Sequence, residues 1–169
     1  MVPKRVKQFY TNVTDKMTES DYEYVKNILE DDELKLFKKL LRSEQKHSVR
    51  IAKDIESIID NKQTTDEEIL NNKELLIKAA LLHDVGKSIK KINVIDKSII
   101  VILNKLTKGN LKNLKISKKV QCYYNHSRYS YDMLKNINNE GDFLKIIKEH
   151  HSESDDKLVL FFKSIDDKN

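Results

Sequence analysis

Five histidines and several aspartates of this chain stand where they could bind a divalent metal together. The densest group is the segment AALLHDVGK at residues 79–87, in which His83 and Asp84 directly follow an apolar run. Imidazole nitrogens and carboxylate oxygens are ligands for borderline and hard divalent metals. Lys87 stands three residues after Asp84, and its ammonium group could hold an anion such as phosphate. These residue types point to an enzyme.

The other candidate ligands lie on apolar helical faces. His47 shares a face with the isoleucines that follow it at spacings of three or four residues, while the pair His150–His151 and Asp166 each end an apolar stripe. A carboxylate buried there is costly unless it is paired or bound to metal. Helical bundles build metal sites from side chains on facing helices. Seven ligands exceed the needs of one tetrahedral zinc and suit two octahedral metals: His47, His83, Asp84, His126, His150, His151 and Asp166.

The elements that must position these ligands are predicted to be helices. One proline and three glycines in 169 residues are too few for the turns of a β-sandwich or barrel. We therefore predict an all-α, single-domain helical bundle over residues 21–169, after an N-terminal extension at 1–20. Apolar spacing predicts helices over 20–42 (interrupted near Asp31 and Asp32), 43–60, 66–83 (with Thr65 as N-cap), 117–126, 129–137, from Asp142 to His151, and from Ser154 onward. The β-branched run at 92–103 fits either a strand or a helix, and we favour a helix over 96–106 because the low proline and glycine content argues against a sheet.

Composition limits the partners and the compartment. The 32 basic and 27 acidic residues give a net charge of +5, a mixed surface that weakly favours anionic substrates and does not predict a nucleic-acid partner. The single cysteine, Cys122, excludes an intramolecular disulfide. We expect no signal peptide, because residues 1–13 are polar and basic without an apolar segment, and no apolar run approaches about 18 residues. We expect a cytoplasmic protein with no membrane partner, and the sequence does not decide between a monomer and a homodimer.

These residues resemble the HD-domain metal-dependent phosphohydrolase superfamily, in its HDIG type. The resemblance rests on HSVRIA at 47–52, AALLHDVGK at 79–87 and IDD at 165–167, and it covers about residues 30–167. It implies that His47, His83, Asp84 and Asp166 bind the core metal. The segments NHSR at 125–128 and EHH at 149–151 resemble the extra histidines of the HD-GYP branch, which complete a larger metal centre. The Gly-Tyr-Pro element of that branch does not follow here, which argues against cleavage of cyclic dinucleotides.

The resemblance implies a phosphohydrolase acting on a phosphate ester, and we expect the substrate to be a small nucleotide-like molecule. We expect two divalent metals, iron or manganese, with magnesium, nickel, cobalt or zinc as alternatives. Asp84 would be catalytic as the bridge between them, and water activated there would attack the phosphorus in line. Lys87 would be catalytic by neutralising phosphoryl charge, and Arg50 and Arg128 are further candidates for substrate binding.

Three alternatives stay open at this point: a cyclic-nucleotide phosphodiesterase, a di-iron oxygenase of the same fold, and a non-catalytic module that senses a nucleotide. The tyrosines around His126 could stack on a base, but packing on the core is the prediction.

Overall fold

The computed structural model describes residues 15–113, 117–138 and 140–169, and every regular element within them is a helix. The predicted N-terminal extension falls mostly outside these ranges, and the predicted all-α fold is confirmed. None of the described helices is both long and apolar enough to cross a bilayer. The α-helices are α1 Glu19–Lys26, α2 Asp31–Phe37, α3 Arg42–Asp60, α4 Glu67–Asn71, α5 Lys73–Leu82, α6 Val94–Leu106, α7 Lys118–Leu134, α8 Gly141–Glu149 and α9 Lys157–Asp166, with 3-10 turns η1 Val85–Ile89 and η2 Asn110–Asn113.

The helix predicted over 66–83 is in fact two helices, and this prediction was wrong. Asp66, not Thr65, is the N-cap, and its carboxylate accepts the backbone N–H of Glu68 at 3.1 Å. The break comes at Asn72, whose side-chain amide donates to the Glu68 carbonyl at 2.8 Å. That bond occupies the carbonyl that an unbroken helix would offer to the backbone N–H of Asn72, so α4 ends and α5 starts anew.

The two helices predicted over 117–126 and 129–137 form a single helix, α7. Ser117 is its N-cap and accepts the backbone N–H of Val120 at 3.2 Å. Neither glycine nor proline stands between the two predicted segments, so nothing in the backbone stops the helix there. As a result His126 lies mid-helix, on a rigid element.

The main hydrophobic core surrounds α5, which is apolar on nearly all sides. Leu76 and Leu81 of α5 are fully buried, as are Ile51 of α3, Phe143 of α8 and Phe162 of α9. A helix that is hydrophobic all round belongs in the interior. The C-terminal end of α5 therefore delivers His83 and Asp84 to a position that other helices surround.

Gly86 permits a close approach of η1 to α7. A Cβ atom added to Gly86 would lie 2.2 Å from the carbonyl oxygen of His126 and 2.6 Å from the backbone nitrogen of Ser130. The Gly86 N–H donates to the Ser130 hydroxyl at 2.8 Å. The helix α5 ends before Gly86. Glycine is required at this position by the close contact with α7 and not by a left-handed backbone. The contact sets the distance between Asp84 and the helix that carries His126.

A buried carboxylate joins α1 to α3. Asp21 accepts hydrogen bonds from Lys46 and Lys53 of α3, each at 2.7 Å, and closes the capping box with Thr18. Burial alone would raise the pKa of Asp21, but the lysine and Thr18 hydrogen bonds outweigh it and lower that pKa.

Candidate metal centre

All seven predicted ligands meet at one end of the bundle. They come from five helices or the residues that follow them: His47 on α3, His83 and Asp84 after α5, His126 on α7, His150 and His151 after α8, and Asp166 at the end of α9. Ligand atoms from these residues form three overlapping groups, and within each group they lie within 4.8 Å of one another. The groups are Asp84 with His126, His150 and His151; His47 with His83 and Asp84; and His83 with His150 and Asp166.

Asp84 stands between two of these groups. Its Oδ2 lies 3.2 Å from Nε2 of His83, and its Oδ1 lies 3.3 Å from Nε2 of His126. Burial opposes ionisation, but His83 and Lys87 together hold the pKa of Asp84 well below its ordinary value. The carboxylate is therefore charged, and its two oxygens face different histidines, as a bridging ligand requires.

Asp166 forms the opposite side of the centre. Its Oδ1 lies 3.1 Å from Nε2 of His47 and 3.8 Å from Nε2 of His83. Burial acts to raise the pKa of Asp166, and the hydrogen bond with His47 together with the nearby His83 lowers it below its ordinary value. This carboxylate too is ionised, and it links the last helix of the fold to α3.

Three histidines are oriented by backbone carbonyls. In each, Nδ1 lies within hydrogen-bond distance of the carbonyl oxygen three residues earlier: 2.9 Å for His83 and Ala80, 2.7 Å for His126 and Tyr123, and 2.8 Å for His150 and Ile147. Two of these carbonyls lie in the last turn of α5 and α8, where helical partners run out. A proton on Nδ1 leaves the Nε2 lone pair free, and such a bond is what orients metal-binding histidines.

Several buried nitrogen and oxygen atoms of the candidate ligands have no hydrogen-bond partner among the described residues. Besides Nδ1 of His47, they are Nε2 of His83, Oδ1 of Asp84 and Nε2 of His150. Each unsatisfied buried polar atom costs about 1–3 kcal/mol, so three together call for a ligand. Nitrogen and carboxylate donors that converge on a common centre fit a divalent metal.

The pKa values of three of the histidines agree with that fit. Burial lowers the pKa of His126 to about 3 and holds that of His150 well below its ordinary value. Burial also lowers the pKa of His151, whose Nε2 lies 3.0 Å from Nε2 of His126. Metals bind the neutral imidazole. For His83 the effect of burial is outweighed by Asp84, which raises the pKa.

Glu44, which was not predicted as a site residue, holds two lysines at the edge of the centre. Lys87 contacts Asp84 and lies 3.2 Å from Oε2 of Glu44, while Lys97 of α6 lies 2.5 Å from Oε1. Burial opposes the ionisation of Glu44, but Lys87 and Lys97 lower its pKa to about 2. Its position one turn before His47 was the signal available in the sequence. Lys97 had no such signal, because it is one of many lysines.

A pocket of about 470 Å³ opens over the centre. Its walls are formed by His47, Asp84, Lys87, Lys97, Tyr123, Tyr124, His126, His151, Asp166 and Asp167. Tyr123 and Tyr124 meet edge to face with ring centroids 5.1 Å apart, and both also pack on the smaller hydrophobic cluster of the fold. The structure therefore places two of the tyrosines around His126 in the pocket wall as well as in packing contacts.

The two arginines predicted to bind substrate lie elsewhere. The Arg50 guanidinium lies 3.0 Å from the Asp15 carboxylate, and Arg128 is exposed on α7. Neither lines the pocket, so their predicted role gains no support from their positions. Lys97, which was not among the predicted site residues, lines the pocket instead.

A family model described as the HD domain matches residues 45–167, most of the chain. No match was found among curated proteins or among solved structures.

Proposed function

Because the chain belongs to the HD domain family, we propose that it is a metal-dependent phosphohydrolase that cleaves a nucleotide-like phosphate ester. The observation that carries the proposal is the set of buried donors without hydrogen-bond partners, on His83, Asp84 and His150. Asp84 itself lines an open pocket, together with the cations Lys87 and Lys97 and the aromatic rings of Tyr123 and Tyr124. A purely structural polar cluster would satisfy its own atoms.

We propose two divalent ions, iron or manganese, and the overlapping ligand groups support that number. His47 and His83 would hold one ion, and His126, His150 and His151 would hold the other, with Asp84 shared because it belongs to both groups. Asp166 would join the first ion, since its Oδ1 lies 3.1 Å from Nε2 of His47 and 3.8 Å from Nε2 of His83. Bound divalent metals supply Lewis-acid stabilisation of phosphoryl oxygens and lower the pKa of an attacking water. The assignment of Asp84 as the shared ligand rests on its two oxygens, which face histidines of different groups.

Lys87 is the residue best placed to stabilise charge on the transferred phosphoryl group. Burial alone would lower its pKa, but Asp84 and Glu44 raise that pKa above its ordinary value. The ammonium therefore stays charged at every physiological pH and needs no reorganisation during the reaction. Glu44 acts as a positioning residue that holds Lys87 at the pocket, and Lys97 supplies a second cation for a phosphate oxygen.

The pocket wall favours a nucleotide over a bare phosphate. A cavity of about 470 Å³ falls in the range of small-molecule sites. Tyr123 and Tyr124 offer aromatic surface on the wall, where a base could pack, while Lys87 and Lys97 face the phosphate end. A site for inorganic phosphate alone needs no such surface.

The decisive experiment is metal analysis of the purified protein, followed by a screen of phosphate esters with manganese or iron supplied. The screen includes nucleoside monophosphates and cyclic nucleotides, which separates a phosphomonoesterase from a cyclic-nucleotide phosphodiesterase. Oxygen consumption with iron supplied tests the oxygenase alternative. A protein that holds no metal and turns over no ester under any supplied metal would refute the proposal.

A narrower experiment tests the second metal. The double variant His126→Ala with His150→Ala should lower the metal content from about two ions per chain to about one. Asp132→Asn, which removes an exposed carboxylate of α7, is the matched control and should keep the full content. Unchanged metal in the histidine variant would show that these residues hold no ion.

A further inference from the structure

One face of α6 is apolar and exposed along its whole length. The residues are Ile95, Ile99, Ile102, Leu103 and Leu106, which we call the α6 stripe, and their exposed fractions are 69%, 49%, 59%, 39% and 73%. Four of them follow the spacing i, i+4, i+7, i+11, which places them in one row. Contiguous exposed apolar surface of this kind marks an interaction site more often than chance.

The opposite face of the same helix is anchored to the protein. Ile100 is buried in the smaller hydrophobic cluster, with Leu111, Val120 and Cys122. Lys97 reaches Glu44, and Asp96 accepts hydrogen bonds from Lys119 of α7 at 2.7 Å. Since these contacts fix the rotation of α6 about its axis, they also hold the stripe toward the solvent.

The chain around the stripe is strongly basic. Residues 85–131 contain ten lysines and one arginine but a single acidic residue, Asp96, a net charge of +10 in a chain whose total is +5. Lys90 and Lys91 lie before α6, and Lys105 and Lys108 lie at its C-terminal end; all four are exposed. None of these four makes an ion pair with a residue that the structure describes. Cations therefore border the stripe at both ends.

We propose that α6 docks flat on an anionic lipid bilayer, with the stripe in the acyl boundary and the lysines at the headgroups. A helix with an apolar face and lysine-rich borders is the form that binds in the plane of a membrane interface, and anionic headgroups attract such lysines. The 13 residues of α6 make a helix about 20 Å long. No spanning helix is needed, so the proposal replaces the expectation of no membrane partner, which rested on the absence of a long apolar run.

Other occupants fit the surface less well. A second copy seated on the same stripe would bring the lysines of both copies together, which costs electrostatic energy. A nucleic acid would satisfy the lysines but would leave the isoleucines against phosphate and water. A bilayer with anionic lipids satisfies both features at once. Because Lys97 is on the anchored face, docking leaves the wall of the metal pocket unchanged.

The first test uses a tryptophan reporter, because the chain has no tryptophan of its own. The Ile102→Trp variant is mixed with phosphatidylcholine vesicles that contain either no anionic lipid or about 30% phosphatidylglycerol. A blue-shifted emission and quenching by brominated lipids are expected with the anionic vesicles alone. Leu160→Trp, at a position 49% exposed on α9, is the matched control and should not shift.

The second test removes the stripe while keeping the charge. The variant Ile95→Ser with Ile102→Ser and Leu106→Ser should weaken partitioning to anionic vesicles by at least about tenfold. Leu160→Ser, which removes a side chain of similar exposure elsewhere, should leave partitioning unchanged, and circular dichroism verifies that both variants fold. These substitutions lie outside the pocket, so metal content and any esterase activity should persist whatever the lipid result.

Five results would overturn the proposal. They are the absence of vesicle binding, equal binding to neutral and anionic vesicles, and binding that the variant Lys105→Gln with Lys108→Gln weakens but the serine changes do not. The fourth is a dimer in sedimentation velocity that the serine changes dissolve, which would assign the stripe to a second copy. Binding of an oligonucleotide in preference to vesicles would assign the lysines to nucleic acid instead.

Discussion

Replacing Gly86 with alanine should separate η1 from α7 and displace His126 from Asp84. The added Cβ would meet the His126 carbonyl oxygen at 2.2 Å, more than an ångström inside the 3.4 Å at which ordinary contact begins. The nearest atoms belong to the backbone of α7, so no side-chain rotation relieves the overlap. The Gly86 N–H bond to the Ser130 hydroxyl would lengthen at the same time.

The expected cost combines overpacking and a weakened hydrogen bond. Overpacking of a tight contact costs about 1–3 kcal/mol, and a lost buried hydrogen bond costs about 1 kcal/mol more. We expect the free energy of unfolding to fall by about 3 kcal/mol, measured by urea denaturation followed by circular dichroism. Because His126 moves with α7, the metal content should fall as well.

Gly141→Ala is the matched control. A Cβ at Gly141 meets nothing within 4 Å, and the residue is the first of α8, so alanine there should leave stability unchanged or raise it by about 0.5 kcal/mol. Two results would refute the reasoning: a Gly86→Ala protein as stable as the Gly141→Ala protein, or one that loses stability but keeps its full metal content. The second result would separate packing at η1 from the position of His126.

Three further predictions concern charge and metal. Because the pKa of Asp21 is lower in the folded than in the unfolded protein, the ionised carboxylate stabilises the fold above the unfolded pKa, and this contribution is lost as the pH falls through the folded pKa. Between about pH 6 and pH 3 the Asp21→Asn variant should therefore lose less unfolding free energy than the unchanged protein. An equal loss in the two proteins would contradict the assignment. Glu44→Gln leaves two lysines without their buried carboxylate and should cost about 3 kcal/mol in urea denaturation, whereas Glu23→Gln, in an exposed pair, should cause no measurable change. Treatment with a chelator should lower the unfolding free energy by about 2.7 kcal/mol if the free metal concentration had been 100 times the Kd. A melting temperature that does not change when the chelator is added would argue against a resident metal.

The candidate metal ligands could be selected from the sequence because their signal is local. His83 and Asp84 are neighbours in the chain, and His47 and Asp166 stand in line with apolar residues of their own helices. Helical periodicity therefore indicates that these side chains face the core, and the match to the HD domain model agrees. The structure brings all seven predicted ligands together without requiring a change in the set.

The rest of the site depends on which elements meet, and periodicity does not contain that information. Glu44 and Lys97 are 53 residues apart, and only the placement of α6 beside α3 makes them partners. Tyr123 and Tyr124 line the pocket because α7 packs against η1, beside the ligands that follow α5. The same placement left Arg50 and Arg128 outside the pocket, although their charge had made them candidates.

Residue type and helical spacing thus determined the all-α class and the choice of ligands, because both follow from local propensity and from which side of a helix is apolar. Tertiary structure decided how close the ligands come and what surrounds them. The contact of Gly86 with α7 sets the distance to His126, and the seating of α6 by Ile100 turns one face toward the pocket and the other outward. Such distances arise from packing between elements far apart in the chain, where a difference of one ångström decides whether two donors can share a metal.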